Sequence, residues 1–139
     1  FDVPYDYIVD AIDLVSCKLS LIAHAHHLGI PIISALGTGN KLDPTAFRVA
    51  DINQTSVCPL ARVVRRELKA RGILHHKVLF STEPALTPAP LDAPPPGRRS
   101  IPASVSWVPS CAGLQLAGAV ILDLVHTPES PSNVEPASN

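Results

Sequence analysis

Two aspartates three residues apart, Asp10 and Asp13, close the apolar run Tyr7–Ile12. If that run is a short buried strand, both acids stand near its carboxyl end, where ligands of open α/β sheets collect. Asp10 falls within the strand and Asp13 in the turn that follows, so Asp13 is the freer to meet a metal ion or a sugar hydroxyl. It can equally cap the next helix or face water. Lys18, one turn into that helix, is placed to approach the same anion or to stand solvated. Gly37-Thr38-Gly39-Asn40 follows a second apolar run, and glycines there allow close backbone approach to a ligand or a left-handed turn. A complete phosphate-binding glycine fingerprint does not occur in the 139 residues, so nucleotide chemistry would need a loop from outside them.

Other residues carry chemistry less specifically. His24, His26 and His27 crowd one predicted helix, but only the pair three apart shares a face, and zinc would need a third ligand and a water. An ordinary exposed or half-buried cluster is the plainer reading. Cys58 precedes Pro59 at a helix start, where the dipole favours thiolate; a buried or capping cysteine is the alternative. Arg62, Arg65, Arg66, Lys69 and Arg71 face only Glu67 on one predicted helix, which makes either a phosphate-binding surface or a solvated face. Pro94-Pro95-Pro96-Gly97-Arg98-Arg99 is suited to polyproline II and a partner groove, or to a disordered insertion.

The elements that would position these residues follow from periodicity. Tyr7–Ile12 and Pro31–Leu36 read as strands, with a helix between them capped by Ser16, striped by Val15, Leu19 and Ile22, and ended by Gly29. Strand, helix and strand with tight connections form a parallel crossover unit. Ala46–Ile52 alternates as a strand with one wetter face, which makes the sheet mixed. Pro59 opens a second helix whose apolar stripe is Leu60, Val63, Val64 and Leu68 and which Gly72 closes. Lys77–Ser81 is a further strand, Ala103–Trp107 resumes the alternation, and Ser110–Val125 is apolar nearly all round, as in a helix buried on most sides or used at an interface. Leu86–Arg99 and Thr127–Asn139 are proline-rich and offer no apolar face, predicting a loop and a disordered tail.

Composition sets limits. Hydrophobic residues make up 46% and charged residues 17%, so the chain is not intrinsically disordered as a whole. Eleven Lys and Arg against twelve Asp and Glu leave a net charge of -1, and a nucleic acid would have to be met by a local patch. Three cysteines at wide spacing, with no CxxC pair and no secretory signal at the start, fit a cytoplasmic setting. The longest apolar stretch, Ala112–Val125, is shorter than the roughly 20 residues of a bilayer span, and no membrane segment is predicted. The chain has no Met and begins abruptly, as a fragment or processed product would.

Several ordered motifs then coincide. Tyr7–Asp13 with Lys18, Gly37–Thr45, Val49–Ile52, Thr55–Arg62, the arginine-rich helix to Gly72, Phe80–Pro84 and Ser104–Pro109 leading to Leu114 together resemble the tRNA threonylcarbamoyladenosine dehydratases. These belong to the adenylating superfamily of ubiquitin-activating-like and sulfur-carrier-activating enzymes. The resemblance runs from Tyr7 to Leu124 and matches the later half of that family's chain, its glycine-rich loop and phosphate-clamping arginine and lysine being expected before Phe1. It implies a three-layer Rossmann-like α/β fold with a mixed sheet, spanning residues 1–125, with a proline-rich loop at 86–99 and a tail at 126–139. It also implies ATP-dependent cyclisation of threonylcarbamoyladenosine in tRNA, through a carboxyl adenylate and loss of AMP. Asp13 aligns with the acid that binds the magnesium of ATP, with Asp10 and Lys18 beside the cofactor. Arg62, Arg65, Arg66 and Lys69 would meet the tRNA, and a homodimer and sulfur-transfer proteins are the implied partners. The fragment alone is expected to be inactive. The competing readings are a non-catalytic truncated adenylating-type module that binds a partner or a second copy through Ser110–Val125, and an unrelated flavodoxin-like domain that would carry flavin.

Overall fold

The computed structural model describes residues 5–87 and 103–126. The proline-rich stretch and the tail predicted from sequence lie largely outside these residues. Four strands, β1 (Ile8–Asp10), β2 (Ile32–Ala35), β3 (Phe47–Asp51) and β4 (Lys77–Ser81), form one sheet in the order β1-β2-β4-β3. β1, β2 and β4 are parallel, whereas β3 is antiparallel to β4. The sheet is therefore mixed, as the sequence predicts, with the antiparallel strand at one edge.

Helices α1 (Val15–Leu28) and α2 (Pro59–Ala70) cover one face, and α3 (Trp107–His126) covers the other, giving three layers. Strand parity decides the sorting: Ile32, Val78 and Phe80 face α1 and α2, while Ile33, Leu79 and Phe47 meet Val108, Ala112 and Leu116 of α3. Removing Ile22, Ile33, Val64, Leu68 and Leu79 entirely from water contributes roughly 1.5–3 kcal/mol for each. α1 and α2 lead into the parallel strands β2 and β4, so they run side by side and both begin at the carboxyl ends of β1 and β2.

The helix ends follow local chemistry with one correction. Gly29 and Gly72 take left-handed conformations, φ +69° and +77°, just past α1 and α2. Pro59 occupies the first turn of α2. Ser16, however, lies inside α1, whose N-cap is Leu14 with no side-chain cap. On α2 the buried stripe is Ala61, Val64 and Leu68; Val63 turns outward because it lies a full helical step off that line.

Two further expectations are corrected. Ala103–Trp107 is not a strand: Ala103 exchanges hydrogen bonds with Asn40, whose N–H donates to the Ala103 carbonyl and whose Oδ1 accepts its N–H, both at 2.7 Å, and Trp107 starts α3. α3 is not buried on most sides, since Leu114, Ile121, Leu122 and Val125 are exposed along it. At 20 residues, α3 is also long and apolar enough to cross a membrane by length and composition alone, contrary to the estimate from the shorter apolar stretch. In this structure it packs on the sheet. Its far end is tied there by Asp123, which accepts from Lys77 Nζ and from the Tyr7 hydroxyl, each at 2.6 Å.

Candidate functional site

The carboxyl ends of β1 and β2 open into a cleft of about 310 Å³ lined by Asp13, Gly37, Thr38 and Leu60 and, from α3, by Pro109 and Gly113. Such crevices at the carboxyl ends of parallel strands are the usual ligand position in an open α/β sheet. A Cβ added at Gly37 would meet nothing within 4 Å, so that glycine leaves open space over the cleft. Among the described residues, neither Lys nor Arg lines it.

Asp13 is exposed in the turn between β1 and α1, as its position in the sequence predicts. Asp10 and Lys18 are brought together beneath it and are both fully buried. Lys18 Nζ donates to Asp10 Oδ2 at 2.7 Å and to the Ala35 carbonyl at 2.9 Å, while Asp10 Oδ1 accepts the Ile12 N–H at 2.9 Å. The alternative of a solvated lysine is thereby overturned. Asp10 shares the parity of Ile8 and so faces α1, where Lys18 is the first inward-pointing long side chain. One carboxylate thus holds the helix with one oxygen and the turn that carries Asp13 with the other.

The loop after β2 is fixed from three sides. Glu83, just beyond β4, accepts the N–H groups of Leu42 and Asp43 at 3.0 and 3.1 Å, and the buried Lys41 ammonium donates to the Glu83 carbonyl. Trp107 Nε1 donates to the Leu42 carbonyl at 2.9 Å, so the loop and the start of α3, two walls of the cleft, are bolted at Leu42. Sequence reasoning places Glu83 in a motif without giving it a role, and a carboxylate held by two successive N–H groups leaves no periodic signal.

On α2, Arg62, Arg66 and Lys69 are exposed and recur at four- and three-residue steps, which makes one stripe. Arg65 does not join them. Its guanidinium donates to the carbonyls of Ile52 and Thr55 at 3.3 and 3.1 Å and to Thr55 Oγ1, bracing the segment that leads into the helix. Arg66 and Arg71 both engage Glu67 and hold its carboxyl below the usual range. Cys58 is a buried N-cap residue without a side-chain cap, the structural alternative considered for it.

The histidines depart from the sequence reading. His26 is matched not with a neighbour on its own helix but with the buried His76, Nε2 to Nδ1 at 3.4 Å, and His76 Nε2 lies 2.8 Å from Ser34 Oγ. Burial pushes His76 down to about 4, and His26 adds to the shift. Among the described residues, no three His, Cys, Asp or Glu side chains are grouped to hold a metal ion.

No family model matches the chain. It is 36% identical over 139 residues to tRNA threonylcarbamoyladenosine dehydratase of Bacillus subtilis (strain 168), an alignment covering 90% of this chain and 53% of the relative. It is 49% identical over 79 residues to tRNA threonylcarbamoyladenosine dehydratase 2 of Saccharomyces cerevisiae, covering 56% of this chain and 18% of that protein. Among solved structures, the Escherichia coli dehydratase TcdA in complex with AMP superposes with a TM-score of 0.73 at 28% identity, covering 87% of this chain and 49% of that one. The same enzyme in complex with ATP gives a TM-score of 0.60 at 29% identity, covering 86% of this chain and 51% of that one. The chain spans about half the length of the Bacillus relative and of these structures.

Proposed function

We propose that this chain, which resembles about half of a tRNA threonylcarbamoyladenosine dehydratase in sequence and in fold, supplies part of a site that cyclises threonylcarbamoyladenosine in tRNA with ATP. The observation that carries the reading is the exposed Asp13 carboxylate on a cleft at the strand ends, in a chain similar to enzymes solved with AMP and ATP. Bound ATP would activate the substrate carboxyl as an acyl-adenylate, from which ring closure expels AMP.

The residues present fit magnesium and nucleotide in kind. Asp13 offers a hard oxygen donor, and magnesium uses only one or two carboxylates while keeping several waters. Gly37 and Thr38 leave backbone and space for the ligand. Asp10 and Lys18 serve the same site by fixing the Asp13 turn, since their charges are spent on each other. The missing positive charge around the phosphates would come from residues beyond those lining the cleft, consistent with a chain that spans half of its relatives. Arg62, Arg66 and Lys69 offer phosphate contacts to tRNA, with Arg65 holding their helix in place. The setting that follows is the cytoplasm.

One observation favours a second reading. Leu114, Ile121, Leu122 and Val125 leave much of α3 apolar and uncovered, as a module that pairs with a second copy or with another protein would. Incubating the full-length protein that contains this chain with tRNA bearing threonylcarbamoyladenosine, ATP and magnesium, and digesting the tRNA for mass spectrometry, separates the two. The enzymatic reading expects an ATP-dependent nucleoside lighter by one water, with AMP released. No such product, together with a stable dimer, would leave the module reading in place.

A further inference from the structure

Two walls of the strand-end cleft are anchored separately. Asp13 stands on the turn after β1, which Asp10 holds through the Ile12 N–H. Gly37 and Thr38 stand on the loop after β2, whose anchors lie elsewhere. Glu83 accepts the N–H groups of Leu42 and Asp43, and its own N–H donates to Ser81 Oγ at 3.1 Å, which fixes it to the end of β4. Asn40, two residues beyond Thr38, is left-handed at φ +58°, a conformation asparagine tolerates. Its carbonyl accepts the Leu86 N–H at 2.8 Å and its N–H donates to the Ala103 carbonyl at 2.7 Å, so the loop is held from both sides. Thr38 is half-buried ahead of these anchors. Among the described residues, its hydroxyl and its N–H have no hydrogen-bond partner.

We propose that Thr38 receives the substrate carboxylate and that Glu83 is the positioning residue that keeps the Thr38 loop against the cleft; the inference rests on the adenylation reading above. In that reaction a carboxylate oxygen bonds the α-phosphorus of ATP while the bond from that phosphorus to the pyrophosphate oxygen breaks. The attacking group must share the cleft with the magnesium-bound nucleotide and stand on another wall. Thr38 offers it an O–H and an N–H on one residue. Neutral donors suit a nucleophile, because a lysine or arginine would draw off the negative charge that attacks, and among the described residues neither lines the cleft. Leu36, Leu60 and Leu116 line it as well, so the carboxylate would lie beside apolar side chains, where hydrogen bonds to it are strengthened. Glu83 acts only through the loop, since its carboxylate is taken up by the Leu42 and Asp43 N–H groups.

Cyclisation turnover by the full-length protein that contains this chain tests this, measured beside its affinity for a non-hydrolysable ATP analogue with magnesium. Thr38→Val, nearly isosteric, should lower kcat by about 10–100-fold, the scale of one hydrogen bond to a charged group, and leave binding of the analogue unchanged. Thr38→Ser, which keeps the hydroxyl, should restore most of that turnover. Glu83→Ala should also lower kcat with analogue binding unchanged, and adding Thr38→Val to it should cost little more, since both changes act on one contact. Wild-type turnover in Thr38→Val, or analogue binding lost in step with turnover, would overturn the inference while an active wild type leaves the adenylation reading standing. A wild type that forms no cyclised nucleoside would overturn both.

Discussion

Lys18 Nζ and Asp10 Oδ2 meet at 2.7 Å with their side chains 1% and 0% exposed, beneath a turn whose own acid, Asp13, stands in solvent. The division of labour follows from burial. An acid whose charge is matched inside the protein organises backbone, while the acid left in water is the one that can take a cation.

Removing one partner of that pair strands the other charge in the core. Lys18→Met should cost about 3–5 kcal/mol, the range for breaking a buried ion pair from one side. Asp10→Asn together with Lys18→Met should recover part of it, because no uncompensated charge remains. Urea unfolding of the three proteins reads the difference; equal stabilities would mean that the pair is not buried in solution.

On the other sheet face, Asp123 is held below the usual carboxylate range, chiefly by the Lys77 ammonium and then by the Tyr7 hydroxyl. A depressed carboxylate stabilises the fold above its unfolded pKa, and that contribution disappears as pH falls through the folded value. The side chain is 34% exposed, so solvent screening limits the effect to roughly 0.5–1 kcal/mol. Asp123→Asn should therefore be less stable than wild type at pH 7 and indistinguishable from it at pH 2–3 by thermal melting.

The arginines of α2 should separate into two kinds. Arg62→Gln with Lys69→Gln should leave stability within about 0.5 kcal/mol and flatten the log-log salt dependence of tRNA binding by about one to two units. Arg65→Gln should instead lower stability by about 1–3 kcal/mol, since it takes the guanidinium donor from the Thr55 carbonyl and hydroxyl, while the Ile52 carbonyl keeps the Thr55 hydroxyl. Fluorescence anisotropy across a salt series, run beside melting curves, distinguishes them.

Much of the fold was legible because period and punctuation agreed. β4 is Lys77–Ser81 as read, and Pro59, Gly29 and Gly72 mark helix ends as their chemistry requires. Ala103–Trp107 misled because small serines between apolar residues imitate strand alternation, whereas the segment's hydrogen bonds go to Asn40. Parity reached further than it was applied: His76, Val78 and Phe80 share one face, which aims His76 at α1. That His26 meets it there is a tertiary fact, and spacing along one helix could only suggest His24 with His27. The exposed place of Asp13 in the turn after β1 was legible because strand-end acids are local, but the internal pairing of Lys18 was not, since a helix lysine shows its burial only once the helix is packed.

The uncovered side of α3 offers a check on association. If Leu114, Ile121, Leu122 and Val125 meet a second copy, Ile121→Glu with Leu122→Glu should convert a dimer to a monomer by sedimentation while the melting temperature of the monomer is unchanged. Wild type that sediments as a monomer at high concentration would remove this face from self-association.

The role proposed for Asp13 is tested most directly by assaying cyclisation of threonylcarbamoyladenosine in tRNA with the full-length protein that contains this chain. Asp13→Ala, an exposed change, should leave circular dichroism and melting as in wild type while ATP-dependent turnover falls by about a hundred-fold or more, the scale of losing a ligand that positions the reacting phosphate. Near-normal turnover in that variant would contradict the assignment of the cleft.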